Sequence, residues 1–69
     1  MFIVLEVQKN GEQTSVLTSV YEEKDPARGK YYEILSYAAQ SSVPYHSALL
    51  IDEQGESMVH DYFDRRVQS

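Results

Sequence analysis

Residues 2–21 read FIVLEVQKNGEQTSVLTSVY, two runs rich in apolar and β-branched residues on either side of Asn10-Gly11. Asn-Gly is a strong short-range hairpin signal, because both central residues of a type I′ turn need positive φ. β-branched residues such as those of the second run favour strands. The stretch therefore predicts a hairpin whose strands cover about residues 2–9 and 13–21.

A helix is predicted next, over about residues 26–42. Asp25 can cap the free N–H groups of its first turn, and Pro26 fits the first helical position. Pro44 disfavours a helical conformation at the residue before it, so the helix should end before that point. Residues at helical spacing form one side of this helix: Ala27, Tyr31, Ile34, Leu35, Ala38 and Ser42.

A second hairpin closes the chain, with strands over about residues 45–51 and 57–63. Residues 52–55 suit a type I turn in which Gly55 takes the left-handed conformation. The polar tail, residues 64–69, is expected to fray.

Both turns imply a register for their strands. The predicted pairs are Lys9 with Glu12, Val7 with Thr14, Leu5 with Val16, Ile3 with Thr18, Leu50 with Met58, Ala48 with His60, and His46 with Tyr62.

These elements predict a single α+β domain over residues 1–69 with the order ββαββ. The first and third strands are the most apolar, which favours central positions in the sheet. A four-stranded antiparallel sheet in the order 2-1-3-4 achieves this, and it lets the helix cross in the usual right-handed sense. The helix then covers one face of the sheet.

The second face of this sheet has no covering element in the sequence. The first, third and fourth strands are nearly continuously apolar, which is typical of strands buried on both faces. The side chains expected to meet the helix are Ile3, Leu5, Val7, Val16 and Val20, since Glu6 and Gln8 make the opposite face more polar. The candidate interface on that opposite face comprises Val4, Ala48, Leu50, Met58, His60 and Tyr62.

A second copy of the chain is the simplest cover for this face, because two-fold self-association dominates soluble oligomers. We therefore expect a homo-oligomer, most simply a dimer. Six tyrosines suit an interface, since they are large, stiff and amphipathic. A different protein partner and a monomer with an exposed apolar patch remain the alternatives.

Composition restricts the classes of partner and compartment. Eleven acidic and six basic residues give a net charge of −5, which repels nucleic acid phosphates and anionic lipid headgroups. The chain has no cysteine, no apolar run long enough to span a membrane and no basic, apolar leader, so a cytoplasmic location is expected.

The residues that could carry chemistry are few. His46 and His60 are expected on one sheet face, where Tyr62 could complete an acid–base or metal pair. Two histidines without a carboxylate beside them are a thin ligand set, and the three glycines form no phosphate loop. No cofactor or enzymatic activity is therefore predicted, and a small hydrolase or metal-binding protein is the weakest alternative.

Nucleic-acid binding is the second alternative. A four-stranded sheet bearing aromatic residues can stack bases, as RNA-binding sheets do. The available cations, Arg28, Lys30, Arg65 and Arg66, make at most a small patch. Mimicry of nucleic acid by the acidic surface is a further form of this alternative.

The middle of the chain resembles a family of short proteins encoded in prophages and related mobile elements of Firmicutes and gut bacteria. The residues that carry the resemblance are Lys30-Tyr31, Ile34-Leu35, Ala38-Ala39, Ser41, Val43-Pro44, His46-Ser47-Ala48, Leu49-Leu50 and Gly55. Tyr32 departs from the histidine that many relatives carry, and the ending also differs. The resemblance implies a phage or mobile-element origin and no reaction. The sequence thus favours a small, non-enzymatic, self-associating interaction protein.

Overall fold

Two hairpins with a helix between them follow one another along the chain. The elements are β1 (Phe2–Asn10), β2 (Gln13–Tyr21), α1 (Lys24–Gln40), β3 (Tyr45–Asp52) and β4 (Ser57–Asp64). This computed structural model describes residues 1–65, and residues 66–69 lie outside the description. The predicted ββαββ order is confirmed.

The four strands form one antiparallel sheet in the order β2-β1-β3-β4, as predicted. The apolar strands β1 and β3 occupy its centre, and β2 and β4 form its edges. The helix α1 packs against one face only. The architecture therefore leaves the other face without a covering element among the described residues.

The first turn differs from the predicted one by its position. Asn10 pairs with Gln13, so Gly11 and Glu12 are the two central residues. Gly11 has φ +66°, whereas among residues 1–65 no residue other than glycine has positive φ. Positive φ at the first central residue alone is typical of a type II′ turn. The predicted register was wrong by two residues, an even shift that leaves every side chain of β2 on its expected face.

The second turn forms largely as predicted. Gly55 has φ +83°, and its N–H donates to the Asp52 carbonyl at 3.0 Å. The Asp52 carboxylate accepts hydrogen bonds from the backbone N–H groups of Gln54 and Glu56, both at 3.0 Å. The side chain of Asp52 thus satisfies the donors that the turn leaves free.

A β-bulge at Met58 changes the register of the second hairpin. Ile51 still faces Ser57, as the turn implies, but Leu50 faces Val59. Met58 is therefore the extra residue on β4, and every pair beyond it is shifted by one. The three predicted pairs of this hairpin were wrong: Leu50 faces Val59, Ala48 faces Asp61, and His46 faces Phe63.

The helix begins at Lys24 and ends at Gln40, about two residues earlier at each end than predicted. Glu23 is the N-cap residue and makes no capping hydrogen bond through its side chain, so the prediction of Asp25 as the cap was wrong. Asp25 lies in the first turn instead, where its negative charge interacts favourably with the positive end of the helix dipole. Pro26 is the third helical residue rather than the predicted first, and it is tolerated there because the first N–H groups of a helix have no intrahelical partner.

The C-terminal end of α1 is held by an arginine from the end of the second hairpin. The Arg65 guanidinium donates to the carbonyls of Ala38 at 2.8 Å and of Ala39 and Val43 at 3.3 Å. A positive charge at this position complements the helix dipole. Asp64 belongs to β4. The prediction of a frayed tail was therefore wrong for Asp64 and Arg65, and the rest of the tail lies outside the described residues.

The core lies between α1 and the sheet. Its buried apolar residues are Val4, Ala27, Tyr31, Ile34, Ala38, Ala48 and Leu50. The helix contributes the side that its spacing predicted, except that Ser42 lies beyond its end and is exposed. Three fully buried alanines allow the helix backbone to approach the sheet closely, which suits the dense packing of protein cores.

The sheet face that meets the helix is the opposite of the predicted one. Val4 and Leu50 are its largest fully buried side chains. The prediction that Ile3, Leu5, Val7, Val16 and Val20 meet the helix was therefore wrong. Its premise was that Glu6 and Gln8 are too polar to lie under a helix, and these side chains prove to be partly buried and hydrogen-bonded to one another.

Candidate interaction face

The face of the sheet turned away from α1, called here the uncovered face, carries four rows of side chains. From one end to the other, the rows across β2, β1, β3 and β4 are Thr14-Lys9-Tyr45-Asp64, Val16-Val7-Ser47-Tyr62, Thr18-Leu5-Leu49-His60 and Val20-Ile3-Ile51-Ser57. Alternation along each strand places all these side chains on the same side.

Aliphatic and tyrosine side chains occupy most of the uncovered face, and those on its edge strands are open to solvent. Val16 and Val20 on the edge strand are each 57% exposed, and Tyr62 on the opposite edge is 56% exposed. Leu5 and Leu49, in the central strands, are half-buried by their neighbours. A contiguous apolar surface of this kind is typical of an interaction site.

Aromatic stacking orders one end of the uncovered face. The Tyr45 and Tyr62 rings stack with centroids 5.9 Å apart and planes at 19°. Lys9 places its Nζ 5.7 Å from the centre of the Tyr45 ring, within the range of a cation–π contact. Ser47, the cross-strand partner of Tyr62, is buried although it lies on this face. These rings therefore form a fixed platform at this end.

Charge is nearly absent from the uncovered face. Within residues 1–65, the only formally charged members of its four rows are Lys9 and Asp64, in the same end row and of opposite sign. The three other rows contain no Asp, Glu, Lys or Arg. The net charge of −5 thus arises from other parts of the chain.

The structure divides the predicted interface residues between two environments. Val4, Ala48 and Leu50 are buried beneath α1, at 1% exposure or less, so their prediction as members of a free face was wrong. His60 and Tyr62 do lie on the uncovered face, because the bulge at Met58 brings them opposite Leu49 and Ser47. Met58 itself, at the bulge, is 36% exposed.

The residues that the prediction missed are the apolar ones in the three rows without a charged residue: Ile3, Leu5, Val7, Val16, Val20, Leu49 and Ile51. Their alternation with Val4 and Leu50 was visible in the sequence. Which face meets the helix depends on a hydrogen bond between polar side chains of β1 and β3, Glu6 and His46. The sequence of one strand alone does not reveal this contact.

A hydrogen-bonded histidine–glutamate pair lies on the helix-covered side. His46 Nε2 donates to the Glu6 carboxylate at 2.6 Å, and the Gln8 amide donates to the same oxygen at 3.1 Å. His46 is 3% exposed, and its Nδ1 is buried without a hydrogen-bond partner among the described residues. No pocket opens onto it in residues 1–65, so we interpret the pair as part of the structural core.

The two histidines lie on opposite faces of the sheet. His46 is on the covered face with Glu6, and His60 is exposed on the uncovered face opposite Leu49. The prediction that they share a face was wrong, because the bulge shifts β4 by one residue and so reverses the direction of its side chains. Within residues 1–65, no three His, Cys, Asp or Glu side chains lie close enough together to hold a metal ion.

The predicted basic patch is also dispersed. Arg65 binds the C-terminal carbonyls of α1, and Lys30 lies 3.8 Å from Glu33 one helical turn away. Arg28 is exposed on the helix, and Arg66 lies outside the described residues. The cations on which nucleic-acid binding would depend therefore have other neighbours or lie apart.

The chain was compared with protein families, curated proteins and solved structures, and no match was found in any of the three. In the part of the chain that the structure describes, no helix has both the length and the apolar character needed to cross a bilayer. Function is therefore inferred from the geometry of the uncovered face.

Proposed function

We propose that this protein is a small, non-enzymatic interaction protein that forms a homodimer by packing the uncovered faces of two copies against each other. The observation that carries the proposal is the uncovered face itself, an apolar sheet surface with charges only in one end row. Removing a face of this composition from water lowers the free energy of the system and so favours association.

Charge favours a second copy as the occupant. Two chains of net charge −5 repel each other wherever their carboxylates meet. The uncovered face carries one carboxylate, Asp64, and that residue shares its row with Lys9. Packing of this face on itself therefore brings the two chains together where their repulsion is least. A strongly charged partner would find no complementary charges in the other three rows.

The area of the face also suits a dimer. Each side chain on one face of a sheet occupies about 32 Å² in projection, given strands ~4.8 Å apart and ~6.7 Å between side chains on one side. Four rows of four positions then offer about 500 Å² per copy, or about 1,000 Å² for two copies. This projected area reaches the lower limit of about 1,000 Å² for a specific interface.

The biological setting is the second part of the proposal. The resemblance to short prophage-encoded proteins supports an accessory role for a phage or mobile element. This part rests on the resemblance alone, whereas the dimer rests on the uncovered face.

The dimer is tested by solution mass, measured by light scattering over a hundredfold range of concentration. We expect the wild-type mass to rise from 7.9 kDa to at least twice that value in the upper part of the range. The Tyr62→Lys variant places a charge on the uncovered face and should weaken dimerisation by at least about tenfold in Kd, because interface tyrosines often contribute ~2 kcal/mol. Circular dichroism checks that the variant remains folded.

The matched control is Tyr37→Lys. Tyr37 lies on α1 and is 65% exposed, so this variant adds the same charge to the other side of the molecule. It should keep the wild-type mass. A wild-type chain that stays at 7.9 kDa throughout, or equal masses for the two variants, would contradict the proposal.

A further inference from the structure

The two edges of the sheet are protected to different degrees. β4 carries His60, Asp61 and Asp64 and contains the bulge at Met58, features that discourage pairing with another strand. β2 has nine residues without a charge, proline, glycine or bulge. A long, regular and uncharged edge strand is a ready template for pairing.

The outer side of β2 is accessible. None of its residues is buried, and Leu17, at its centre, is 57% exposed. Among residues 1–65 no strand lies beside this edge, since β1 is the only strand paired with β2. α1 lies mainly against the central strands β1 and β3 and contacts β2 least of the four strands.

The pairing with β1 determines which backbone groups of β2 point outward. Residues that flank a two-residue turn exchange hydrogen bonds, and bonded and non-bonded pairs then alternate along the hairpin. Asn10 and Gln13 are the flanking residues here. The N–H and C=O groups that point to the free edge are therefore those of Thr14, Val16, Thr18 and Val20.

The sequence of β2 is complementary to itself in the antiparallel direction. Thr14-Ser15-Val16 and Thr18-Ser19-Val20 repeat the same three residues on either side of Leu17. An antiparallel pairing centred on Leu17 gives these pairs: Leu17 with Leu17, Val16 with Thr18, Ser15 with Ser19, Thr14 with Val20, and Gln13 with Tyr21. All are uncharged, and the Val–Thr pairs join β-branched residues, which suit a sheet.

The same register satisfies the outward backbone groups. It brings Thr14 opposite Val20, and Val16 opposite Thr18, so each outward-pointing residue meets another outward-pointing residue. Such a pairing forms about eight backbone hydrogen bonds, two for each bonded pair. The N–H and C=O groups of Leu17 point toward β1 in both copies. The central Leu17–Leu17 pair is therefore a non-hydrogen-bonded pair, as this register requires.

We infer that β2 is a second self-association site, at which it pairs antiparallel with β2 of another copy about a two-fold axis at Leu17. The product is a continuous eight-stranded sheet with both helices on one side and both uncovered faces on the other. This edge interface is separate from the proposed face-to-face dimer. Together the two interfaces allow assemblies of four or more copies.

Residue-resolved amide hydrogen exchange tests the edge interface. In concentrated wild-type protein, the amides of Thr14, Val16, Thr18 and Val20 should exchange at least about tenfold more slowly than in dilute protein. The inward-pointing amides of Ser15 and Leu17 serve as the internal control and should be protected at both concentrations. Fast exchange of all four outward amides at high concentration would overturn the inference.

Two variants separate this interface from the other. Leu17→Lys places like charges opposite each other at the centre of the pairing, and Thr18→Pro removes an outward N–H without breaking a hydrogen bond to β1. Both should remain folded by circular dichroism and lose the protection of the remaining outward amides. Tyr62→Lys, directed at the uncovered face, should retain it. Loss of protection in Tyr62→Lys alone would assign the protection to the face and overturn the edge pairing.

Discussion

The two faces of the sheet differ in a way that apolar content alone does not reveal. The covered face includes Glu6, Gln8 and His46, yet it forms the core with α1. The uncovered face is the more uniformly apolar and receives no element among the described residues. Polar side chains that hydrogen-bond to one another can therefore lie beneath a helix, while a nearly uncharged apolar face is left for another molecule.

The largest expected difference between the faces is in the cost of truncating a leucine. Leu50 is 1% exposed beneath α1, and its neighbour Leu49 is half-buried on the uncovered face. Leu50→Ala should lower the free energy of unfolding by about 2–5 kcal/mol, because it leaves a cavity. Leu49→Ala should cost about 1 kcal/mol in dilute, monomeric protein, since its side chain is only partly removed from water and no helix packs over it.

Urea unfolding at low protein concentration measures both values. Equal costs for the two variants, or a larger cost for Leu49→Ala, would show that the faces have been assigned the wrong way round.

A smaller effect is expected from the polar pair of the covered face. Glu6→Leu leaves His46 without its acceptor, and His46→Leu leaves the Glu6 carboxylate with Gln8 alone, so each should cost about 1–3 kcal/mol. The double variant should cost less than the sum of the two, with a coupling of about 0.5–3 kcal/mol. Additive costs in a double-mutant cycle would mean that the pair does not stabilise the covered face.

The turn that sets the register of β2 gives the next prediction. Gly11 has φ +66°, a conformation that costs other residues about 1–2 kcal/mol. Gly11→Ala should therefore destabilise the hairpin by about that amount in thermal or urea unfolding. Gly29→Ala is the control, since Gly29 lies within α1 without positive φ and should gain up to about 1 kcal/mol. Equal effects at both glycines would contradict the type II′ turn.

The smallest expected effect is a pH dependence within the core. Burial first, and then the nearby Asp61 carboxylate and Tyr32, raise the pKa of the Tyr31 hydroxyl. A raised pKa in the folded state means that this group stabilises the fold below the ordinary tyrosine pKa of about 10 and loses that contribution as pH rises further. Tyr31→Phe should flatten the decline in unfolding free energy above pH 10. An unchanged slope would mean that Tyr31 ionises equally in both states.

Much of the fold could be predicted from the sequence, because its signals are local. Apolar runs, two glycine-containing turns and a helical spacing ending before Pro44 indicate the five elements and the strand order. The bulge at Met58 could not be predicted, since no glycine or proline within β4 marks it. That single extra residue moved Tyr62 and His60 to the other face.

The location of the candidate site was harder to predict than its character. An apolar face without cover follows from the strand patterns, but choosing the face required the contact between His46 and Glu6, which are forty residues apart. Without knowledge of that contact, the polar residues Glu6 and Gln8 predict that their face of β1 is exposed to solvent rather than part of the core. The histidine in an otherwise apolar strand was the one local signal that could have suggested a buried partner.

The most direct test of the two-face account is the exposure of methyl groups to a soluble paramagnetic probe, measured by NMR in dilute and concentrated protein. We expect the methyl groups of Val4 and Leu50 to be protected at both concentrations. Those of Leu5, Val7 and Leu49 should be relaxed by the probe in dilute protein and protected in concentrated protein. Uncovered-face methyl groups that stay equally accessible at both concentrations would contradict the account.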